Sequence, residues 1–178
     1  MSRMQDVEQL FEALQERFFG KYPGVVVDNA DPENRGRLKV NVPDVMTDQG
    51  IWAQACVPYA GDGVGFYAVP PTGATVWVEF QAGDPSHPIW VGCQWAQGQT
   101  DSSENVPGKM VLRTGSCSLV IDEDAGTITI EASDGSKIVI GNGGIALEGS
   151  EINMSANGSQ LTLSASGLDA LNGAFTVT

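Results

Sequence analysis

Basic residues are scarce in this chain of 178 residues: nine Lys plus Arg stand against 22 Asp plus Glu, a formal net charge of −13. A face that holds nucleic acid or an anionic membrane needs an excess of Lys and Arg, so neither is an expected partner. Histidine is nearly absent, with His87 alone, and the cysteines are only Cys56, Cys93 and Cys117. An odd, widely spaced set makes no disulfide framework and fits a reducing cytoplasm. The start, Met1-Ser2-Arg3-Met4-Gln5-Asp6, lacks the charged-then-apolar pattern of an export leader, so cytoplasmic synthesis without a signal peptide is expected. No apolar run approaches the roughly 18 residues of a membrane-spanning helix. Cys-x-x-Cys, Gly-x-Ser-x-Gly and phosphate-loop patterns are also missing. The expectation is no catalytic residue, no metal ligand and no cofactor.

Other absences are uneven along the chain. Of 13 aromatic residues only Phe175 lies beyond residue 107, and no proline or tryptophan lies there. The stretch 108–178 instead holds 11 glycines and 15 Ser plus Thr. Composition therefore sets a boundary at 98–108, a polar stretch with almost nothing to bury. It gives four segments: an N-terminal helix at 1–21, a barrel domain at 22–97, a linker at 98–108 and a β-repeat domain at 109–178.

Val7, Leu10, Phe11, Leu14 and Phe18 make one helical stripe, predicting an amphipathic helix over 5–19 that ends at Gly20. Fifteen residues are marginal as an isolated helix. Its stripe must dock, either on its own domain or on a partner subunit. Beyond it, Val25–Val27, Arg35–Val42, Ile51–Val57, Thr75–Phe80 and Pro88–Gly92 read as short strands between Gly- and Pro-rich loops. Leu38, Val40 and Val42 would point to one face. Five such strands suggest a small barrel such as an OB-fold, although strand count alone does not separate it from an SH3-like barrel.

In 109–178 apolar-x-apolar pairs recur: Ile128/Ile130, Ile138/Ile140, Ile145/Leu147, Ile152/Met154, Leu161/Leu163 and Phe175/Val177. Turns such as Asp134-Gly135, Gly149-Ser150, Asn157-Gly158 and Asn172-Gly173 separate them. Period 2 within each pair means strand, and the repetition means stacked strand-and-turn units. One chain of these would leave an apolar face open and its edges unpaired. Wrapping copies around a common axis buries both, and threefold symmetry suits an interwoven β-prism. A one-chain β-solenoid is the alternative. These twelve residues are the predicted trimer core. Six to eight strand layers at about 4.8 Å would give a shaft on the order of 35 Å.

The remaining side chains have modest readings. His87, in Pro85-Ser86-His87-Pro88, reads as a turn residue, and Cys56 and Cys93 as small buried hydrophobes. Asp122-Glu123-Asp124 reads as a hairpin loop, with calcium the other possibility. Trp52, Trp77, Trp90 and Trp95 are expected to fill the barrel core or contacts between barrels, with Trp95 the best candidate for a subunit interface. Arg35, Arg37 and Lys39 alternate on one predicted strand, either as a solvated face or as contacts to an acidic partner. An oligonucleotide-binding barrel is disfavoured, since residues 21–98 carry four basic and eight acidic residues.

Several blocks carry a family resemblance. They are Pro23-Gly24-Val25-Val26, Asp31-Pro32 with Gly36-Arg37-Leu38-Lys39-Val40, Val42-Pro43, Trp52-Ala53 and Pro58-Tyr59-Ala60-Gly61. Gly65-Phe66-Tyr67, Pro70-Pro71, Gly73 to Phe80 and Gly83-Asp84-Pro85 running into Pro88-Ile89-Trp90-Val91-Gly92 complete the set. In this order they resemble the OB-fold domain of phage baseplate assembly protein V and related contractile-injection spike proteins, including those of type VI secretion. The C-terminal part is similar to the β-helical needle of that family in position and repeat character. The resemblance implies a homotrimer whose barrels form a collar on a baseplate hub protein. Its needle would contact and pierce a target cell envelope when a sheath contracts, within a virion baseplate or assembled injection particle. Many relatives end in a His-x-His motif that binds iron at the apex, whereas this sequence ends Phe175-Thr176-Val177-Thr178. Either a tip-capping protein sits there or more chain follows. Some relatives insert a lysozyme domain between barrel and needle, for which residues 98–108 leave no room. Two other classes stay open: a secreted β-solenoid adhesion module and an OB-fold ligand-binding protein.

Overall fold

In the computed structural model residues 16–46, 50–141 and 143–177 are described. The chain forms two compact units, Met1–Gln99 and Thr100–Thr178. Most of the helix expected over 5–19 lies outside the described residues. Of its last turn, residues 17–19 are not helical. Instead the Phe18 N–H donates to the Gly83 carbonyl at 2.8 Å, and the Phe18 ring packs against Tyr22 and Phe80 with centroids 6.0 Å away. The backbone there is taken up by a tertiary hydrogen bond that a continuing helix would forbid.

The first unit contains β1 (Tyr22–Asp28), β2 (Leu38–Asn41), β3 (Ile51–Ala55), β4 (Ala60–Gly61), β5 (Val64–Gly65), β6 (Thr75–Phe80) and β7 (Pro88–Gln94). Strands β1, β2, β3, β7 and β6 close a barrel in that order. The β3–β7 pair is parallel, with Ala55 opposite Trp90, and the others are antiparallel. That order is OB-like. Strands β4 and β5 form a separate two-stranded hairpin.

Alternation explains the core. Leu38, Val40 and Val42 are fully buried, together with Val26, Ala53, Val76 and Val78, and the nearly buried Phe80 and Trp90 join the same cluster. Each buried Leu or Val contributes about 1.5–3 kcal/mol relative to exposure. Gly24 lets β1 lie this close: a Cβ there would stand 3.1 Å from Val78 Cγ2 and 3.2 Å from the Asn41 carbonyl oxygen. Every fully buried hydrophobic among the described residues belongs to this barrel.

The second unit contains β8 (Lys109–Arg113), β9 (Cys117–Asp122), β10 (Thr127–Ala132), β11 (Lys137–Gly141), β12 (Gly144–Glu148), β13 (Glu151–Ala156), β14 (Ser159–Ser164), β15 (Gly167–Ala170) and β16 (Phe175–Val177). Strands β8 to β12 form one antiparallel meander and β13 to β16 a second. The one-chain solenoid is therefore corrected. Connections this short join antiparallel neighbours, whereas the parallel coils of a solenoid need longer crossovers. Asn157 and Gly158, both at positive φ, make one such tight turn.

Residues 101–108, expected as a free linker, fold onto the start of this unit. The Asp101 carboxylate accepts from the N–H and hydroxyl of Ser103, at 2.8 and 2.7 Å. Glu104 pairs with Arg113, and the Glu123 N–H donates to the Gly108 carbonyl. A stretch with almost nothing apolar to bury is held by these polar contacts.

Candidate assembly surface

Residues directly opposite in an antiparallel ladder share a face. In the first meander Met110 stands opposite Ile121, Ile121 opposite Ile128, Ile128 opposite Ile140, and Ile140 opposite Ile145. Alongside runs a second column: Leu112, Leu119, Ile130, Ile138 and Leu147. Every strand thus gives two apolar side chains to one face. The face is two residues wide and five strands long.

Among the described residues nothing covers this face fully. Ile128 is 38% exposed, Ile130 47%, Ile138 39%, Ile140 43%, Ile145 69% and Leu147 43%. The smaller residues behind them, Thr129 and Val139, are more covered than the isoleucines. Hydrophobic side chains turned outward in an ordered row are the reverse of a self-sufficient sheet.

The opposite face carries the charge. Lys109 faces Asp122 and pairs with it at 3.3 Å, and Lys137 faces Glu148 at 3.1 Å. Arg113 and Glu131 share that side. Asp122 also accepts from the Ala125 N–H. This bond first, and then Lys109, hold its carboxyl below the ordinary range.

The second meander repeats the design. Ile152 faces Leu163, Leu163 faces Leu168 and Leu168 faces Val177; Met154, Leu161, Ala170 and Phe175 form the parallel column. Met154, Leu163, Phe175 and Val177 are about half exposed. Behind them the side is polar: Asn153 Oδ1 accepts from Gln160 Nε2 at 2.9 Å and from Thr162 Oγ1 at 2.7 Å.

All twelve residues predicted as a shared core therefore fall on these two faces, six on each. Met110, Leu112, Leu119, Ile121, Leu168 and Ala170 belong there too and were not among the twelve. The same apolar-x-apolar signal marks them, weakened in β8 and β9 by Val111 and Val120, which make those strands apolar on both sides.

The predicted barrel contacts fare differently. Arg35 and Arg37 precede β2 in the β1–β2 loop, so with Lys39 they do not line one face of a strand as expected. Asp31 organises that loop. Its carboxylate accepts backbone N–H bonds from Glu33, Arg35 and Arg37 at 2.8–3.1 Å, and Arg37 Nη2 and Nε at 2.7 and 3.0 Å. The Arg37 guanidinium beside it holds the Asp31 carboxyl well below the usual carboxylate range. Arg37 also pairs with Glu33 at 3.1 Å and lies 5.5 Å over the Trp52 ring. Arg35 pairs with Glu33 and Lys39 stands opposite Trp52.

Of the four tryptophans only Trp90 is buried, with its indole N–H donating to the Gly36 carbonyl at 3.1 Å. Trp52 and Trp77 are half-buried, whereas Trp95 is 75% exposed. Cys56 and Cys93 are corrected: both are exposed. Cys56 lies just past the end of β3. Cys93 lies near the end of β7, beyond the register shift that leaves Val91 unpaired between Trp90 and Gly92.

His87 sits in a turn before β7, 3.0 Å from Ser86 Oγ, while Asp84 accepts both the N–H and hydroxyl of Ser86. A cleft of about 640 Å³ opens beside the barrel between the β1–β2 loop and the β4–β5 hairpin, with Tyr59, Phe66 and Tyr67 among its walls.

Residues 22–95 match the family model of the type VI secretion system/phage-baseplate injector OB domain. Residues 109–176 match that of the phage baseplate V C-terminal trimerisation domain. No curated protein matches the chain.

Proposed function

Because the chain belongs to the phage baseplate V family, we propose that it is the central spike of a contractile tail or injection machine, acting as a homotrimer in the baseplate. Its role in this reading is structural, not catalytic. The observation that carries it is the uncovered aliphatic face of the second unit, which has no fully buried hydrophobic residue among its described residues.

Geometry favours three walls. Strands of five or six residues span about 17–20 Å, and a triangle of that side has walls about 5–6 Å from its axis. This is half of the roughly 10 Å at which two sheet faces pack, so one layer of side chains from each wall fills the centre. Four walls would stand about 8–10 Å from the axis and leave a void that Ile and Leu do not reach. The nine strands of the two meanders, at about 4.8 Å each, give a shaft on the order of 40 Å. In such a prism the charged faces point outward and the axis is aliphatic.

Mechanical function follows from this construction. A shaft driven through an envelope must not buckle, and laterally hydrogen-bonded strands joined by short turns leave little slack. The barrels form the collar on the hub, with the exposed Trp95 and Arg35 and the half-buried Lys39 as contact candidates. Arg37 is committed to Asp31. The test is solution mass by light scattering. A mass near three times 18.7 kDa supports the spike, and a monomer at micromolar concentration refutes it.

A further inference from the structure

Asn157-Gly158 and Asn172-Gly173 are both turns of the second meander, and both carry one reactive pairing. A side-chain amide is followed by a residue with no side chain to shield its backbone nitrogen. In each turn the Asn and the Gly are at positive φ, 48° and 84° in the first and 55° and 89° in the second. Both Asn residues are exposed. The turns lie side by side, with Asn172 Nδ2 donating to the Gly158 carbonyl at 2.9 Å. In sequence the two sites are equivalent.

Hydrogen bonding separates them. At the second turn both reacting groups are engaged. The Gly173 N–H, whose nitrogen would be the nucleophile, donates to the Asp169 carboxylate at 2.8 Å. Asn172 Nδ2, which would be the leaving group, is held by Gly158. The Leu171 N–H anchors the same loop to the Gln160 carbonyl at 2.8 Å. The Asp169 charge also opposes loss of the Gly173 proton, which would set two anions side by side. At the first turn, among the described residues, nothing bonds the Gly158 N–H or the Asn157 amide, and the hairpin is closed by Ala156 opposite Ser159. The Asn172 bond reaches the Gly158 carbonyl oxygen, which takes no part in the reaction.

We propose that Asn157 is a site of spontaneous deamidation and that Asn172 is protected from it. When the turn opens briefly, the Gly158 nitrogen attacks Cγ of Asn157. The new C–N bond closes a five-membered imide, the Cγ–Nδ2 bond breaks, and Nδ2 leaves as ammonia with the Gly158 proton. Water then adds across either imide C–N bond and gives aspartate or isoaspartate. No Lys or Arg follows Lys137, so that stretch has no cation to offset the new carboxylate. Isoaspartate also adds a methylene to the backbone of a two-residue turn, whose length sets the register of β13 on β14.

The experiment incubates the full chain at mildly alkaline pH, folded and in denaturant. Digestion with pepsin in acid then halts the reaction, and mass spectrometry follows peptides that separate residues 157 and 172. In the folded protein Asn157 should convert about tenfold faster than Asn172, the effect of one net hydrogen bond to a charged group. In denaturant the two rates should agree. Asp169→Ala should raise the Asn172 rate several-fold and leave Asn157 unchanged. Equal rates in the folded protein overturn the proposal, as does faster conversion at Asn172. So does an unconverted Asn157 when the denatured sample converts, or an Asn172 rate that Asp169→Ala does not move.

Discussion

Ile140→Asp tests the shared core most sharply. Ile140 lies in β11, one strand in from the β12 edge of the first meander, opposite Ile128 on one side and Ile145 on the other, and is 43% exposed in the single chain. Full burial of an isoleucine contributes about 1.5–3 kcal/mol, so covering the exposed part contributes on the order of 1 kcal/mol per copy. That gain is lost in the variant. In addition, each copy would bring an unpaired carboxylate to the axis, where the effective penalty is several kcal/mol per ion. With three copies in one layer the total is on the order of 10 kcal/mol per trimer, enough to dissociate it at micromolar concentration. The single chain keeps its barrel, because the substitution lies outside that core. Sedimentation velocity at pH 7 should therefore show a folded monomer. A buried carboxyl has a raised pKa, so acidification neutralises it and lowers the penalty. Partial recovery of the trimer below about pH 5 is expected for Ile140→Asp and not for Ile140→Asn. Ile140→Val, at about 0.5–1.5 kcal/mol per copy, should stay trimeric, as should Ser155→Asp on the polar face. A stable Ile140→Asp trimer at pH 7 would refute the reasoning.

Other outcomes follow from the same geometry. Asp31→Asn should lower the barrel melting temperature at neutral pH by removing the charge that binds Arg37 and the loop N–H groups. The Asp31 pKa is depressed in the fold, so its contribution is complete above the ordinary carboxylate pKa of 3.8 and fades as pH falls. The gap between wild type and variant should be constant above pH 4 and close in stronger acid; a gap that widens there would contradict the assignment. Leu38→Ala should cost about 2–5 kcal/mol in denaturant unfolding of the barrel while the trimer mass is unchanged. Gly141→Ala puts a Cβ 2.6 Å from the Gly126 carbonyl oxygen, and a drop in trimer melting temperature with barrel stability intact is the expected readout.

Much of the barrel was legible because its strands alternate cleanly. Leu38, Val40 and Val42 were assigned one face from sequence and are fully buried. The paired aliphatics of the second unit were legible for the same reason. What misled was position relative to strand ends. Arg35 and Arg37 continue the alternation of Lys39 in sequence, but Asp31 draws that backbone into a loop through three N–H bonds. Cys56 and Cys93 lie near strand ends, beyond which or through a register shift the period no longer tells inside from outside. In β8 and β9, Val111 and Val120 blurred the pattern, so Met110, Leu112, Leu119 and Ile121 were not singled out.

The sequence by itself determined the faces. Side chains alternate along any extended strand, so a two-residue apolar period assigns each isoleucine to one side without knowing its neighbours. It also settled that the aliphatic face of residues 109–178 had to be covered from outside the strand that carries it. Tertiary structure decided which edges meet. Gly149-Ser150 reads in sequence as one more turn in the series, and in the fold it is where β12 and β13 part. Strand pairing is a relation between distant backbone groups, and only the three-dimensional path shows which of them are left without a partner.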